Sequence, residues 1–428
     1  MEKRIRISND HAYLERDGKP FFYLADTVWS AFSNATLEEW EQYLDHRRQQ
    51  RFNVVQISIL PIIHDRSESV LGIEPFHARE DGSWDYARMN DAFFERAERM
   101  ARMASERGFV PCLVVLWGNY APGNWMSRLS GGSHVMPLAD VRPYAERVAR
   151  TFKPYAPVYF ISGDTNFESD EAATHYVEAL HGIKAVDPDA LTSLHMNGGT
   201  HEIPSSLEND PALDFYIYQS SHDPQSQRGA YELPGKFLVK SIRRPVLNAE
   251  PCYEGIGHYG KYGRFQAFDM RKAFWWSVLS GASAGFTYGA HGLWSWHRKH
   301  TAFNSEDFYL TPFVWSEALR LEGAADVALG GWLVERYGLC GIPAAQEKLA
   351  IDCPDIRVAA RADDSGIFAY MPYSRKLVLR ADPSRYRWEA FDLTRRLPIA
   401  AVVRPCEEGT LIELSETNGD LLVAGEAI

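Results

Sequence analysis

From residue 21 to about residue 320, short apolar runs rich in β-branched and aromatic residues alternate with stretches of helical periodicity. No other feature restricts the fold as much. "FFYLADT" leads into "TLEEWEQYLDHRRQQ", where Thr36 and Glu39 have the spacing of a helix capping box. "NVVQISIL" and a long loop precede the helical "NDAFFERAERMARMASERG", which ends at Gly108; the strand "FVPCLVVLW", the helix "DVRPYAERVARTF" and the strand "VYFISGD" follow. The series continues with the helix "SDEAATHYVEALHGIKAV", the strands "LTSLHMN", "DFYIYQSS" and "PVLNAEP", the helix "FDMRKAFWWSVLSGA" and the strand "AGFTYGA"; "PFVWSEALRL" is the expected closing helix. Strands joined by helical crossovers are parallel, and eight of them predict closure into a (β/α)8 barrel, the helix between strands five and six being poorly marked. A doubly wound sheet would carry GxGxxG or GxxxxGK[ST] after its first strand, and the sequence has neither.

The texture changes near residue 330. "GWLVERYGL", "IRVAARADDSGIFAYMPYS", "KLVLRAD", "YRWEAFDLTRRL" and "GTLIELSE" are short alternating segments divided by Gly, Pro, Asp and Asn, the pattern of a small antiparallel β-sandwich. Two units are predicted: a barrel over residues 1–330, including a short N-terminal β segment, and a sandwich over residues 331–428. That division suits 428 residues, because one hydrophobic core stops growing at roughly 250 to 300.

The charge balance excludes several functions. Lys and Arg number 45 against 57 Asp and Glu, a net −12, with no basic stripe to neutralise phosphates, so neither nucleic acid nor an anionic membrane is an expected partner. The N-terminal "MEKRIRISNDHAYLERDG" is charged throughout, and no apolar run approaches the roughly 20 residues of a membrane span, so a cytoplasmic protein is expected. Cys112, Cys252, Cys340, Cys353 and Cys406 have neither CxxC spacing nor a pairing framework, which suits a reducing compartment. Aromatic residues make up 13% of the chain, an excess that suits flat ligands such as sugars, although packing alone could use it.

In a barrel, chemistry sits at the C-terminal ends of the strands. The polar residues expected there are Asp26, Gln56, Trp117 with Asn119, Asp164 with Asn166, Asn197, Gln219 with His222, Glu250, and Tyr288 with His291. Asp164 ends strand four and Glu250 ends strand seven, so the two would face each other across the mouth, as the acid/base and nucleophile of a retaining glycosidase do. Neither fits a capping role: the helix after Asp164 starts near Ser169, and the helix after Glu250 near Phe268. The structural alternative for Glu250 is a salt bridge to Arg243 or Arg244. Asp26 and Trp29 are also candidates for the mouth, with Trp29 as a core residue the alternative, because Thr36 already caps the next helix. His297 and His300 lack HExxH spacing and GxSxG is absent, so neither a catalytic metal nor a serine nucleophile is expected, and no cofactor is implied. A non-catalytic carbohydrate-binding barrel and a metal-dependent barrel hydrolase are the competing classes.

The segments "FFYLADTVW", "FNVVQISIL", "SGDTN", "YQSSH", "RPVLNAEPCYEG", "RKAFWWSVLSGASAGFTYGAHGLW" and "ALRLEGAADV", in that order, resemble the apiosidase-like glycoside hydrolases, glycoside hydrolase family 140 and its relatives. The resemblance covers nearly the whole barrel and implies a retaining glycosidase with Asp164 as acid/base and Glu250 as nucleophile. It also implies sugar contacts from Asp26, Trp29, Gln56, Asn166, Gln219, His222, Tyr288, His291 and Trp294, alongside Trp117 from its strand end. Release of apiose or a related sugar from pectic oligosaccharides is the implied reaction. Ala25, Ser162 and Ala290 stand where the family often has Gly, Gly and His, so the sugar preference does not follow from the resemblance.

Overall fold

The computed structural model describes residues 4–65, 70–259, 261–373, 375–414 and 417–428; Ser374, Ser415 and Glu416, at the ends of two expected sandwich strands, lie outside these. Eight parallel strands form the barrel: β1 (Tyr23–Thr27), β2 (Val54–Ser58), β3 (Val110–Trp117), β4 (Val158–Gly163), β5 (Thr192–Ser193), β6 (Tyr216–Gln219), β7 (Val246–Glu250) and β8 (Gly285–Tyr288). Neighbouring strands pair from β5 through β4, β3, β2, β1, β8 and β7 to β6. The seam between β5 and β6 is held by Asp214 N donating to Thr192 O (3.0 Å) and Ser193 Oγ donating to Phe215 O (2.7 Å).

The helices follow their strands: α1 (Leu37–Gln49), α2 (Asp91–Glu106), α3 (Leu138–Phe152), α4 (Asp170–Val186), the single turn α5 (Ser205–Glu208), α6 (Gly229–Leu238), α7 (Ala267–Val278) and α8 (Gly323–Tyr337). Thr36 and Glu39 close the expected capping box on α1, a device worth about 1 kcal/mol. Among the described residues no helix is long and apolar enough to cross a membrane.

Period-2 alternation sorts each strand. Tyr23 and Thr27 of β1 point into the barrel, where their hydroxyls meet the Gln56 amide, whereas Asp26 points out to α1. On β8, Thr287 points in to Gln56, and Phe286 packs outward on Phe274 of α7.

Two expectations change at the end of the barrel. "GWLVERYGL" is not a sandwich strand but the second half of α8, whose buried Val327, Gly331, Val334 and Tyr337 recur at helical spacing; the predicted division at residue 330 therefore falls inside a barrel helix. "PFVWSEALRL" forms only the short helix Trp315–Ala318, and α8 closes the series instead.

The C-terminal domain pairs two antiparallel sheets. One is ordered β9 (Arg357–Ala360), β10 (Gly366–Met371), β16 (Leu421–Ala427), β12 (Tyr386–Asp392), β13 (Leu397–Ile399); the other is β11 (Lys376–Leu379), β15 (Gly409–Glu413), β14 (Val402–Cys406). Its buried Phe368, Tyr370, Phe391 and Leu422 join the core of the barrel. A buried ion pair crosses the same interface, Arg271 of α7 reaching Asp420 (2.9 Å) while it also holds Asp326 of α8 (2.7 Å) within the barrel.

Candidate active site

The two carboxylates singled out from the sequence line one cavity at the C-terminal mouth of the barrel, each only 6% exposed. A bulge places Glu250. Its strand β7 pairs Asn248 with Tyr218 but Glu250 with Gln219, so one extra residue is taken up between them. Asn248 turns outward to Ser277 of α7 (3.1 Å), and strict alternation would send Glu250 the same way; the bulge turns it to the mouth instead.

Three donors then converge on it. Gln219 Nε2 (2.7 Å) and His222 Nε2 (2.9 Å) donate to Oε1, and His195 Nε2 lies 3.0 Å from Oε2, close but off the direction of an aligned hydrogen bond. Burial pushes the Glu250 carboxyl up, yet the close approach of His195 and His222 outweighs it and holds the group well below the usual carboxylate range. The salt bridge to Arg243 or Arg244 does not form: Arg244 is spent on the carbonyls of Glu208 and Asp210 and on the Tyr216 hydroxyl.

Asp164 is held differently. It follows β4 with φ of +52°, a left-handed conformation that costs a non-glycine residue strain and tends to persist at functional positions. Its Oδ2 sits 2.8 Å from His64 Nε2, while Oδ1 has no hydrogen-bond partner among the described residues. Its backbone N–H donates to His195 Nδ1 (3.2 Å), which leaves the ring proton on Nε2, the atom facing Glu250. One imidazole thus spans from the backbone of one carboxylate to the side chain of the other.

Aromatic side chains wall the cavity. Trp29, Trp117 and Trp294 line it, and Trp29 Nε1 donates to the Tyr253 hydroxyl (3.0 Å). Two glycines make room for these rings: a Cβ on Gly163 would lie 2.4 Å from Trp117, and one on Gly289 would lie 2.1 Å from Tyr253. Gly163 therefore serves the indole that forms the wall.

Five of the residues nominated as sugar contacts stand outside this lining, as do Asn119 and Asn197. Asp26 is fully buried behind the barrel, where Oδ2 accepts from Arg47 Nε (2.6 Å) and Tyr43 (3.0 Å), both of α1. Gln56 fills the barrel interior, its amide satisfied by Tyr23, Thr27 and Thr287, so none of these groups is left for a ligand. Tyr288 turns outward to donate to Glu254 (2.5 Å). His291 donates from Nε2 to Leu310 O (2.8 Å) and accepts from Trp294 at Nδ1 (3.4 Å), and burial pushes its pKa down to about 3, so it supports Trp294 from behind as a neutral ring. Asn166 is bonded to Glu168 (2.7 Å). The sequence reading missed His64, His195, Tyr253 and Tyr309, all close to the carboxylates or their partners. His195 lies within "LTSLHMN", whose expected strand-end residue is Asn197, and Tyr253 follows Glu250 by three residues. Among the described residues no group of three or more His, Cys, Asp or Glu is arranged to hold a metal ion.

The family model for the apiosidase-like catalytic domain matches residues 8–340, which takes in the whole barrel and ends just past α8. The chain belongs to the apiosidase-like family. It is a glycoside hydrolase. Among solved structures, a protein described as a glycoside hydrolase superposes with a TM-score of 0.81 at 20% identity, over 99% of this chain and 97% of its own. A glycoside hydrolase family 5 protein from Bacteroides vulgatus gives 0.79 at 18% identity, covering 99% and 94%. A family 5 mannosidase from Rhizomucor miehei gives 0.51 at 12%, covering 78% and 99%. At these identities the likeness is one of fold. No curated protein matches the sequence.

Proposed function

We propose that this apiosidase-like barrel is a retaining glycosidase of plant cell-wall oligosaccharides, with Glu250 as nucleophile and Asp164 as acid/base. The observation that carries the reading is the unequal treatment of two carboxylates in one cavity: Glu250 is held ionised by its donors, and Asp164 keeps an oxygen without a partner among the described residues. In the first step the protonated Asp164 gives its proton to the glycosidic oxygen as the bond to the anomeric carbon breaks, and a Glu250 oxygen attacks that carbon to form an ester. In the second step Asp164, now a carboxylate, takes a proton from water, which attacks the anomeric carbon and releases Glu250. The indoles of Trp29, Trp117 and Trp294 offer flat faces to the C–H side of a sugar ring.

Family membership favours pectic oligosaccharides and release of apiose or a related sugar as the first reaction to try. A panel of 4-nitrophenyl glycosides and pectic oligosaccharides, read by the sugar released and by the anomer formed first, tests the proposal. Hydrolysis of one glycosyl type with retained configuration is expected. First formation of the inverted anomer would overturn the retaining mechanism.

A further inference from the structure

His195 joins the two carboxylates, and the chain holds it there from both sides. The segment that carries it is fastened to the segment that carries Asp164. Before Asp164, Ser162 Oγ donates to His195 O (2.9 Å); after it, Thr165 bridges Met196, and Asn197 N donates to Thr165 O (2.8 Å). Between these anchors Asp164 has its left-handed backbone, and its N–H goes to a side chain, Nδ1 of His195. The ring is 1% exposed, with Trp29, Trp117 and Phe160 around it at 5.3, 5.9 and 6.0 Å. Close packing of that kind keeps an imidazole from turning, so the proton on Nε2 stays on the side of Glu250.

The two oxygens of Glu250 are not equivalent in this setting. Oε1 already accepts from Gln219 and His222, whereas Oε2 has no aligned donor among the described residues and lies 3.0 Å from His195 Nε2. A proton beside Oε2 but off its lone-pair direction steadies the oxygen electrostatically and leaves the pair free for an anomeric carbon. At Asp164, a non-glycine residue with φ of +52° persists only where its surroundings hold it, and Nδ1 is part of that hold. Resting on the glycosidase reading, we propose that His195 is a positioning residue for both halves of the reaction: Nδ1 fixes the backbone of the acid/base Asp164, and Nε2–H steadies Oε2 of Glu250, the oxygen left free to attack. His64 and His222 each serve one carboxylate; His195 serves two.

Two near-isosteric substitutions split the roles. His195→Asn keeps an acceptor at the Nδ1 position and removes the donor to Glu250; His195→Gln keeps an N–H at the Nε2 position and removes the acceptor from Asp164. For each variant kcat/KM is measured against pH on a 4-nitrophenyl glycoside and on an unactivated glycoside of the same sugar, with thermal unfolding alongside. His195→Asn should lose about tenfold or more on both substrates alike, because a donor beside a charged group is gone. Its acid limb should rise toward 4.5, the other titratable groups facing Glu250, namely His222, Tyr253 and Tyr309, being unchanged. His195→Gln should leave that limb in place and lose at least about tenfold more on the unactivated substrate than on the activated one, the mark of a displaced acid. Equal losses in the two variants with an unmoved limb, or no loss in either, overturn the proposal. A second reading needs no substitution at residue 195: in 15N NMR of histidine-labelled His222→Ala protein, one ring with its proton on Nε2 should shift when Glu250→Gln is added. Absence of such a shift overturns the proposal as well. Failure of the unsubstituted protein to cleave any glycoside would break the glycosidase reading and the proposal with it, whereas ordinary cleavage with the wrong pattern in the variants breaks the proposal alone.

Discussion

Asp164 and Glu250 share a cavity and an equal exposure, yet their surroundings are opposite in kind. Glu250 is turned into the mouth by a bulge and gripped through Oε1 by an amide and an imidazole, with a second imidazole against Oε2. Asp164 has one imidazole on one oxygen, none on the other, and a left-handed backbone. On the proposed mechanism, environment rather than residue type divides the labour of the two carboxyls: convergent donors stabilise an anion, and a bare oxygen can gain and lose a proton.

The strongest way to break the comparison is to remove the anion. Glu250→Gln should lose about 10^4-fold or more in kcat on every leaving group, since a nucleophile acts as part of a unit whose loss is felt in full. Measured on 4-nitrophenyl and unactivated glycosides, an equal loss on both is expected, and substantial residual turnover would contradict the assignment. Asp164→Ala should cost less and unequally: about 10^2- to 10^4-fold on an unactivated glycoside, the range general acid catalysis supplies, and far less on an activated aryl glycoside that needs no proton. Equal losses for the two variants on both substrates would erase the distinction between them.

His222→Ala sharpens the comparison from the other side. It removes one donor to Glu250 Oε1, and a hydrogen bond to a charged group is worth about 1.5 to 3 kcal/mol, so kcat/KM should fall roughly tenfold to a hundredfold. The sign of the pH effect follows from the same contact. As the proposed nucleophile, Glu250 must be ionised to attack, and its pKa is lowered from the usual 4.5, so the acid limb it imposes is expected below that value and should move up toward it in the variant. The depressed pKa also adds stability above pH 4.5 that is lost as pH falls through the folded value.

The smallest effect concerns His291, which supports Trp294. Its pKa is about 3 against an ordinary 6.5, so the unfolded chain binds the extra proton between those values; this group's contribution to stability is complete above pH 6.5 and declines as pH drops toward 3. His291→Gln, which keeps a donor for Leu310 O, should flatten the acid side of a Tm-against-pH curve by an amount equivalent to at most a few kcal/mol, while kcat at neutral pH changes little beside the other variants.

What the sequence disclosed depended on how local the signal was. The eight strands, the Thr36 box and the strand-end carboxylates lie in contiguous segments, and each was legible. Side-chain direction was harder. Asp26 and Tyr288 occupy strand-end positions but share the outward face with Leu24 and Phe286, and the residue that claims Asp26 is Arg47, twenty-one positions later on α1. Period-2 alternation could have sorted these two, because Thr27 and Thr287 beside them face inward. Alternation would have misled at Glu250, whose orientation rests on a bulge with no mark in the sequence. His64 sits in a loop after β2, and its meeting with Asp164, one hundred residues later, follows only from the closed barrel. The boundary at residue 330 failed for a local reason: glycines near the middle of α8 read as turn residues.

The division between the two carboxylates is tested most directly by trapping the intermediate. A 2-deoxy-2-fluoro glycosyl fluoride of the sugar released in the panel should inactivate the enzyme with one equivalent bound. Peptide mass spectrometry of the trapped protein should then place the label on Glu250. A label on Asp164 or any other residue, or turnover of the compound with inversion and no label, would contradict the assignment of Glu250 as the nucleophile.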